Sequence, residues 1–140
     1  MVRVFNMGVL NVSFIANEDL SAYQYHFVES AGSANEGYVV LADSGSATYS
    51  PIGVLQNAPE SGEEATVCMF GPTKIHADYA AGTIDIGEWL TCNGSGEAEY
   101  TAVASLAVGF SLSPGDSSAS NVMHMFFDPM ASWLTRRTVN

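Results

Sequence analysis

The fold of this chain is decided by residues 50–77, SPIGVLQNAPESGEEATVCMFGPTKIHA. A short apolar strand at residues 52–56 leads into a turn at residues 57–64, which contains Pro59 and Gly62. A second strand follows at residues 65–70, and Gly71-Pro72 is expected to end it, because Pro cannot donate to a strand ladder. The stretch therefore predicts two β-strands joined by a rigid surface turn.

Short strand-like runs of this kind continue along the rest of the chain, for example at residues 23–28. They alternate with turns rich in Gly, Pro, Ser and Asn at intervals of roughly ten residues, which is typical of all-β domains. The segment Asn93-Gly94-Ser95-Gly96 is a strong hairpin turn, since Gly and Asn tolerate positive φ. We predict an all-β fold, a small β-barrel or sandwich, with these residues mostly inward: Val54, Val67, Ile84, Leu90, Val108 and Val122.

The two ends of the chain differ from the body at residues 16–127. Residues 1–15 contain no acidic side chain and are either the first strand of the barrel or an N-terminal arm that adds a strand to a neighbour. In the tail, residues 128–140, Asp128 can cap a short C-terminal helix, in which Met130, Trp133 and Leu134 share one apolar stripe. So short a helix needs a surface to pack on. The contacts expected with a partner molecule or a neighbouring copy lie mainly in these ends: Val2, Arg3, Val4, Phe5, Leu10, Trp133, Leu134 and Arg136.

The chain is strongly acidic, with 15 Asp and Glu against 4 Lys and Arg and a formal net charge of -11. A body of this charge repels phosphate backbones, so no nucleic-acid partner is expected. The negative charge either keeps the protein soluble or meets a basic partner surface. No uninterrupted run of about 18 apolar residues is present, so no membrane partner is expected, and no secretory signal is expected either.

Side chains with catalytic chemistry are sparse. His26, His76 and His124 are far apart, each in its own predicted strand, without the spacing of a metal site. Ser117 lies in the Ser-rich loop SPGDSSAS, and no motif places a His beside it. We therefore expect no catalytic residue, no cofactor and no enzyme activity. A small hydrolase that uses the Ser117 loop stays open as an alternative.

Metal and disulfide chemistry is equally sparse. Asp78, Asp85 and Glu88 flank a Gly-rich turn but lack the dense oxygen ligands of a calcium loop, so no metal site is expected. Cys68 and Cys92 lie in apolar strand-like runs, and buried free thiols are the expected state. A disulfide between neighbouring strands stays open as the alternative.

The order of these motifs resembles the capsid decoration (cement) proteins of tailed bacteriophages. The most specific block is PIGVLQNAP at residues 51–59, followed by Gly62-Glu63 and by Ala65 and Val67. Further matches are ANEDL at residues 16–20, YVVLA at 38–42, KIHA at 74–77, GEWLT at 87–91 and VGFSL at 108–112. The resemblance covers about residues 16–127, and both ends lie outside it.

The resemblance implies a β-tulip-like barrel that serves as a structural virion protein. Such proteins bind the outside of an expanded phage head as homotrimers at three-fold sites and stabilise the capsid against internal DNA pressure. The implied partner is the major capsid protein, and the implied location is the outer capsid surface of the virion, after synthesis in the host cytoplasm. The alternative function is a phage-borne β-module, a head fibre or adhesin domain, that binds glycans or a cell surface.

Overall fold

A computed structural model describes residues 8–43, 50–79, 83–115 and 121–131, and this part of the chain contains nine β-strands. Two short 3-10 helices, Ser33–Asn35 and Ala104–Leu106, accompany them, and the described residues include no helix long and apolar enough to cross a membrane. The all-β prediction is confirmed. The strands are β1 (Leu10–Ala16), β2 (Phe27–Ser30), β3 (Tyr38–Leu41), β4 (Gly53–Leu55), β5 (Glu64–His76), β6 (Trp89–Cys92), β7 (Ala98–Tyr100), β8 (Gly109–Ser111) and β9 (Val122–Phe127).

The first five strands close into a barrel in the order β1-β3-β2-β4-β5, with β5 pairing back to β1. The pairing of β1 with β3 is parallel, and the other four pairings are antiparallel. Closure of the ring leaves no free sheet edge in this half of the molecule. Leu10–Ala16 is therefore a strand of the barrel wall, whereas residues 1–7 lie outside the described residues.

The second half of β5 belongs to another sheet, with strand order β5-β9-β8-β6-β7 and antiparallel pairing throughout. The prediction that Gly71-Pro72 ends the strand is wrong, because β5 is 13 residues long and passes through both. Pro72 lies opposite Phe126, whose carbonyl oxygen points towards Gly109 in β8. Pro72 and Phe126 thus form a non-hydrogen-bonded pair, and the ladder does not need the N–H that Pro72 lacks.

Two apolar cores lie on either side of the wall formed by β2 and β4. Adjacent residues of β2, Phe27 and Val28, point into different cores, and so do Val54 and Leu55 of β4. Both strands are therefore buried on both faces. The barrel core consists of Ala16, Leu20, Val28, Val39, Leu55, Ala65 and Val67. The core under the second sheet consists of Phe27, Ala42, Val54, Ile75, Ala77, Ile84, Leu90, Cys92, Ala98, Met123, Met125 and Phe127.

Several local predictions can be compared directly with the structure. The 93–96 hairpin is confirmed, with Cys92 opposite Ala98. The predicted strand at residues 23–28 is wrong over its first four residues, because β2 begins only at Phe27. Of the six residues expected inward, four are buried, whereas Val108 and Val122 are half-buried. At the C-terminal end, the side chain of Asp128 accepts a hydrogen bond from the backbone of Met130, as expected of a cap, and residues 132–140 lie outside the described residues.

Candidate interaction surface and histidine cluster

One row of aromatic side chains crosses the outer face of the second sheet. Trp89 lies opposite Phe110, Phe110 opposite Phe126, and Phe126 opposite Pro72. Phe70, two residues before Pro72 on β5, packs edge-on against Phe126 with ring centroids 5.2 Å apart. Directly opposed residues point to the same side of a sheet, so these side chains form one continuous surface. We call Trp89, Phe110, Phe126 and Phe70 the aromatic row.

The rings of the aromatic row contact one another in sequence. Phe110 and Phe126 stack with centroids 5.5 Å apart, and Trp89 meets Phe110 edge-on at 6.2 Å. Trp89 and Phe70 are 37% and 38% exposed, and Leu10, opposite Phe70 on β1, is 52% exposed. Each of these side chains would gain by leaving water. This apolar surface is therefore a candidate interaction site.

The outer surface of the barrel has a different character. Every charged side chain between Gly8 and Phe70 is acidic. Three of them, Glu60, Glu63 and Glu64, lie in or beside the β4–β5 turn and are exposed. This turn is rigid because the Asn57 amide donates to the carbonyl of Glu64 and accepts from the N–H of Thr66. The barrel therefore presents fixed negative charge at this end.

Two of the three histidines meet at the junction of the barrel and the second sheet. The rings of His26 and His76 stack, with centroids 4.5 Å apart and planes inclined by 27°. Glu97, just after the 93–96 hairpin, completes a group whose candidate ligand atoms all lie within 4.8 Å of one another. The prediction that the histidines are far apart is wrong for this pair, while His124 lies exposed in β9. We call His26, His76 and Glu97 the histidine cluster.

The backbone conformation of Tyr25 brings His26 and His76 together. Tyr25 has φ 64, the only positive value at a non-glycine residue among the described residues. Its N–H donates to Leu55 and its carbonyl accepts from the N–H of His76, both at 2.8 Å. These bonds hold the strained turn against the end of β5, so that His26 comes to lie over His76. Sequence spacing carries no signal of this contact, because it depends on one residue in the left-handed region.

The histidine cluster is partly shielded from water. His26 is buried, and its Nδ1 lies 3.2 Å from the carbonyl oxygen of Gln24. Burial lowers the pKa of His76, the neighbouring His26 lowers it further, and the carboxylate of Glu97 opposes both. Glu97 is held in turn by the Asn93 amide oxygen, which accepts the N–H groups of Ser95 and Glu97.

The other candidate residues take ordinary structural places. Glu88 and Asp85 form a turn in which the Glu88 carboxylate accepts the N–H of Asp85 at 2.8 Å. Cys68 and Cys92 are buried and unpaired, as expected. Burial raises the pKa of both thiols, that of Cys92 to about 12, so neither is a ready nucleophile.

Most of the contact residues expected at the ends lie outside the described residues. Leu10 is described, and it extends the aromatic row on β1. Ser117 also lies outside the described residues. The expected contacts that are not described are Val2, Arg3, Val4, Phe5, Trp133, Leu134 and Arg136.

Comparison with known proteins gives a match in structure alone. No family model matches the chain, and no curated protein sequence matches it. Among solved structures, the chain is similar to the head fibre gp8.5 N base of bacteriophage phi29, with a TM-score of 0.63 and 16% sequence identity. The match covers 86% of this chain and 95% of the phi29 chain. The two proteins therefore share a fold over nearly their whole described lengths.

Proposed function

We propose that this protein is a structural component of a phage virion, bound to the outside of the head, and that it has no enzyme activity. Two independent likenesses support this. The sequence resembles capsid decoration proteins over about residues 16–127, and the fold is similar to the base of a phage head fibre. Among the described residues, the aromatic row forms one partly exposed apolar surface, and burial raises the pKa of both cysteine thiols. Both features suit a binding protein better than a catalyst.

The aromatic row is the observation that carries the proposal. A chain with a net charge of -11 repels its own copies, so an apolar surface favours their association. The aromatic row is such a surface, and none of its members is charged. We assign it to the contact between copies in a homotrimer, where a second copy covers Trp89 and Phe70. Burial of a large aromatic side chain contributes about 1.5–3 kcal/mol, enough for a few such residues to dominate an interface.

The acidic end of the barrel suits the second contact, with the major capsid protein. Negative side chains held on a rigid turn attract a basic shell surface and orient the approach. A trimer at a three-fold site then makes three linked contacts, whose combined affinity exceeds that of one by orders of magnitude. Preferential binding to the expanded shell stabilises that state by mass action. Capsid stabilisation therefore needs no cofactor.

The test is a double variant of the aromatic row, Trp89→Ser with Phe126→Ser, compared with Ile86→Ser. Ile86 is 66% exposed, apolar and outside the row, so it matches the loss of surface hydrophobicity. We expect the double variant to fold and to bind expanded heads at least about tenfold more weakly, without density clustered at three-fold sites. Ile86→Ser should bind like the unmodified chain. Equal binding by all three proteins, or head-bound density of the unmodified chain that is not clustered at three-fold sites, would contradict the trimer assignment.

A second candidate follows from the structural comparison. The phi29 protein is the base of a head fibre, so this chain would instead support a fibre or bind glycans at a cell surface. In that case the aromatic row would stack on sugars, since exposed aromatic faces bind apolar sugar surfaces. A glycan array probed with the unmodified chain and the double variant separates the two. Binding to glycans that is lost in the double variant, with unchanged head binding, would favour this second candidate.

A further inference from the structure

We propose that His26, His76 and Glu97 bind a zinc-class divalent transition-metal ion that ties the barrel to the second sheet. The proposal is independent of the function assigned above. Two imidazoles and one carboxylate are a common protein ligand set for zinc, and imidazole also suits copper, nickel and iron. The metal would take water in a fourth position, because His76 and Glu97 are only half-buried.

The geometry is close to that of a loaded site. Tetrahedral zinc with bonds of about 2.0–2.1 Å holds its donor atoms about 3.3 Å apart. The candidate ligand atoms here lie within 4.8 Å of one another, so they must approach by ~1.5 Å at most. The half-buried Glu97 carboxylate can supply that movement by rotation of its side chain. The two rings are stacked with centroids 4.5 Å apart, so the half-buried His76 ring must also turn to direct its lone pair at an ion bound by His26.

Hydrogen bonding prepares His26 as a ligand. A carbonyl oxygen only accepts, so the Nδ1 atom that lies 3.2 Å from the Gln24 carbonyl must carry the proton in the neutral ring. The lone pair is then on Nε2, which is free to bind a metal. A backbone carbonyl on the other ring nitrogen is the usual way in which metal-binding histidines are oriented. Burial also favours the neutral, metal-binding form of His76.

The three ligands come from three different segments. His26 lies in the turn before β2 in the barrel, His76 ends β5, and Glu97 follows the hairpin that leads into β7. The hairpin already touches the barrel, since the N–H of Phe27 donates to the carbonyl of Gly96 at 2.8 Å. A bound metal would therefore cross-link the hairpin to the barrel. Binding only to the folded state raises the unfolding temperature, by about 5 °C or more when zinc is at a hundredfold excess over its dissociation constant.

The experiment uses the full chain without a polyhistidine tag, first stripped with a chelator. Zinc chloride is titrated in by calorimetry, and the unfolding temperature is measured with and without zinc. Cobalt(II) serves as a spectroscopic probe of coordination. We expect about one equivalent of metal to bind, with a stabilised fold. Imidazole ¹⁵N spectra should show zinc shifting the ring nitrogens of His26 and His76 and leaving those of His124 unchanged.

Variants separate the cluster from the rest of the chain. His76→Asn and Glu97→Gln change half-buried side chains and should each weaken zinc binding at least about tenfold. His124→Asn is the matched control, because it removes the remaining histidine from an exposed position and should bind like the unmodified chain. If zinc does not bind stoichiometrically, or if His124→Asn weakens binding as much as His76→Asn does, the assignment is overturned. Unshifted His26 and His76 signals in the unmodified chain would overturn it even if both variants misfold.

Discussion

The barrel and the second sheet share a strand and a wall, yet their outer surfaces differ in chemistry. The barrel half, from Gly8 to Phe70, carries acidic groups and no Lys or Arg. The second sheet carries the aromatic row, none of whose members is charged. The difference indicates that the two surfaces suit different kinds of contact. One face is suited to water and to a basic partner, and the other to close apolar contact.

The interior packing connects the two halves of the molecule. β2 and β4 bury one face in the barrel core and the other in the core of the second sheet. Neither half can lose its packing without exposing these strands. The two halves should therefore unfold as one cooperative unit, although their outer surfaces differ in chemistry.

The largest expected effect is the loss of a side chain from the second core. Phe127 is 0% exposed and packs near Phe27 of the shared wall, with ring centroids 6.1 Å apart. We expect Phe127→Ala to lower the free energy of unfolding by about 3–5 kcal/mol, in a single transition. The adjacent Phe126→Ala is the matched control, because Phe126 is only half-buried on the outer face and should cost less than half as much. Two separate denaturant transitions would contradict the single cooperative unit.

The next effect tests close backbone packing in each half. A Cβ on Gly53 would strike the carbonyl of Cys68 in the barrel, and one on Gly109 would strike the carbonyl of Phe126 in the second sheet. We expect each Gly→Ala variant to lose about 2 kcal/mol, because the obstructing atoms are backbone and cannot turn aside. Gly87→Ala is the control, since open space surrounds it and only its φ of +89 opposes the change, at about 1 kcal/mol. Denaturant unfolding of the three variants measures these losses in the free energy of unfolding and checks their order.

A smaller effect should appear in head binding when the acidic end of the barrel is altered. Glu60 is exposed in the β4–β5 turn, and Asp85 is equally exposed in the second sheet's half. We expect Glu60→Lys to weaken binding to expanded heads about tenfold and to reduce its salt dependence, whereas Asp85→Lys, with the same change of charge, should have little effect. Equal effects of the two variants would mean that net charge matters rather than the barrel's own surface.

The smallest effect concerns Glu29 in the shared wall, whose Oε2 atom is buried without a hydrogen-bond partner. Burial raises the pKa of Glu29 above its ordinary value of 4.5, a hydrogen bond from the backbone of Asp43 opposes this, and the carboxylates of Asp43 and Glu18 add to the rise. The stability it contributes is thus present below pH 4.5 and is lost as the pH rises through the raised pKa of the folded state. We expect Glu29→Gln to increase the free energy of unfolding by about 1 kcal/mol at pH 7. The gain should vanish at pH 4, and a gain that is equal at both pH values would rule out this cause.

Local sequence signals predicted the strands and turns that depend on neighbouring residues. The hairpin at residues 93–96 and the turn at residues 57–64 were predictable because Gly, Asn and Pro restrict the backbone there. The buried positions Val54 and Leu90 followed from alternation. The burial of both Phe27 and Val28 could not be predicted in this way, because alternation assumes one solvent-exposed face and β2 has none.

The candidate sites depended on contacts that are distant in sequence. The aromatic row requires the registers of four strands, and each of its members alone resembles an ordinary core residue. The histidine cluster requires Tyr25 at positive φ, a conformation that Tyr rarely adopts and that no residue pattern announces. The prediction that Gly71-Pro72 ends β5 failed for a related reason. A strand can pass through a proline at a non-hydrogen-bonded position, and the register that defines such positions cannot be read from one strand alone.

The length of β5 has a mechanical consequence. This strand runs through both halves of the molecule and pairs with β1, β4 and β9. Because ladder hydrogen bonds are perpendicular to the strands, a force along β5 loads them in shear, and many must break together. A pull perpendicular to β5 would open them one at a time. Single-molecule pulling should therefore find the protein stiff along this axis and weak across it. In the proposed head-bound state, the direction of the load relative to β5 would determine whether the protein resists or unfolds strand by strand.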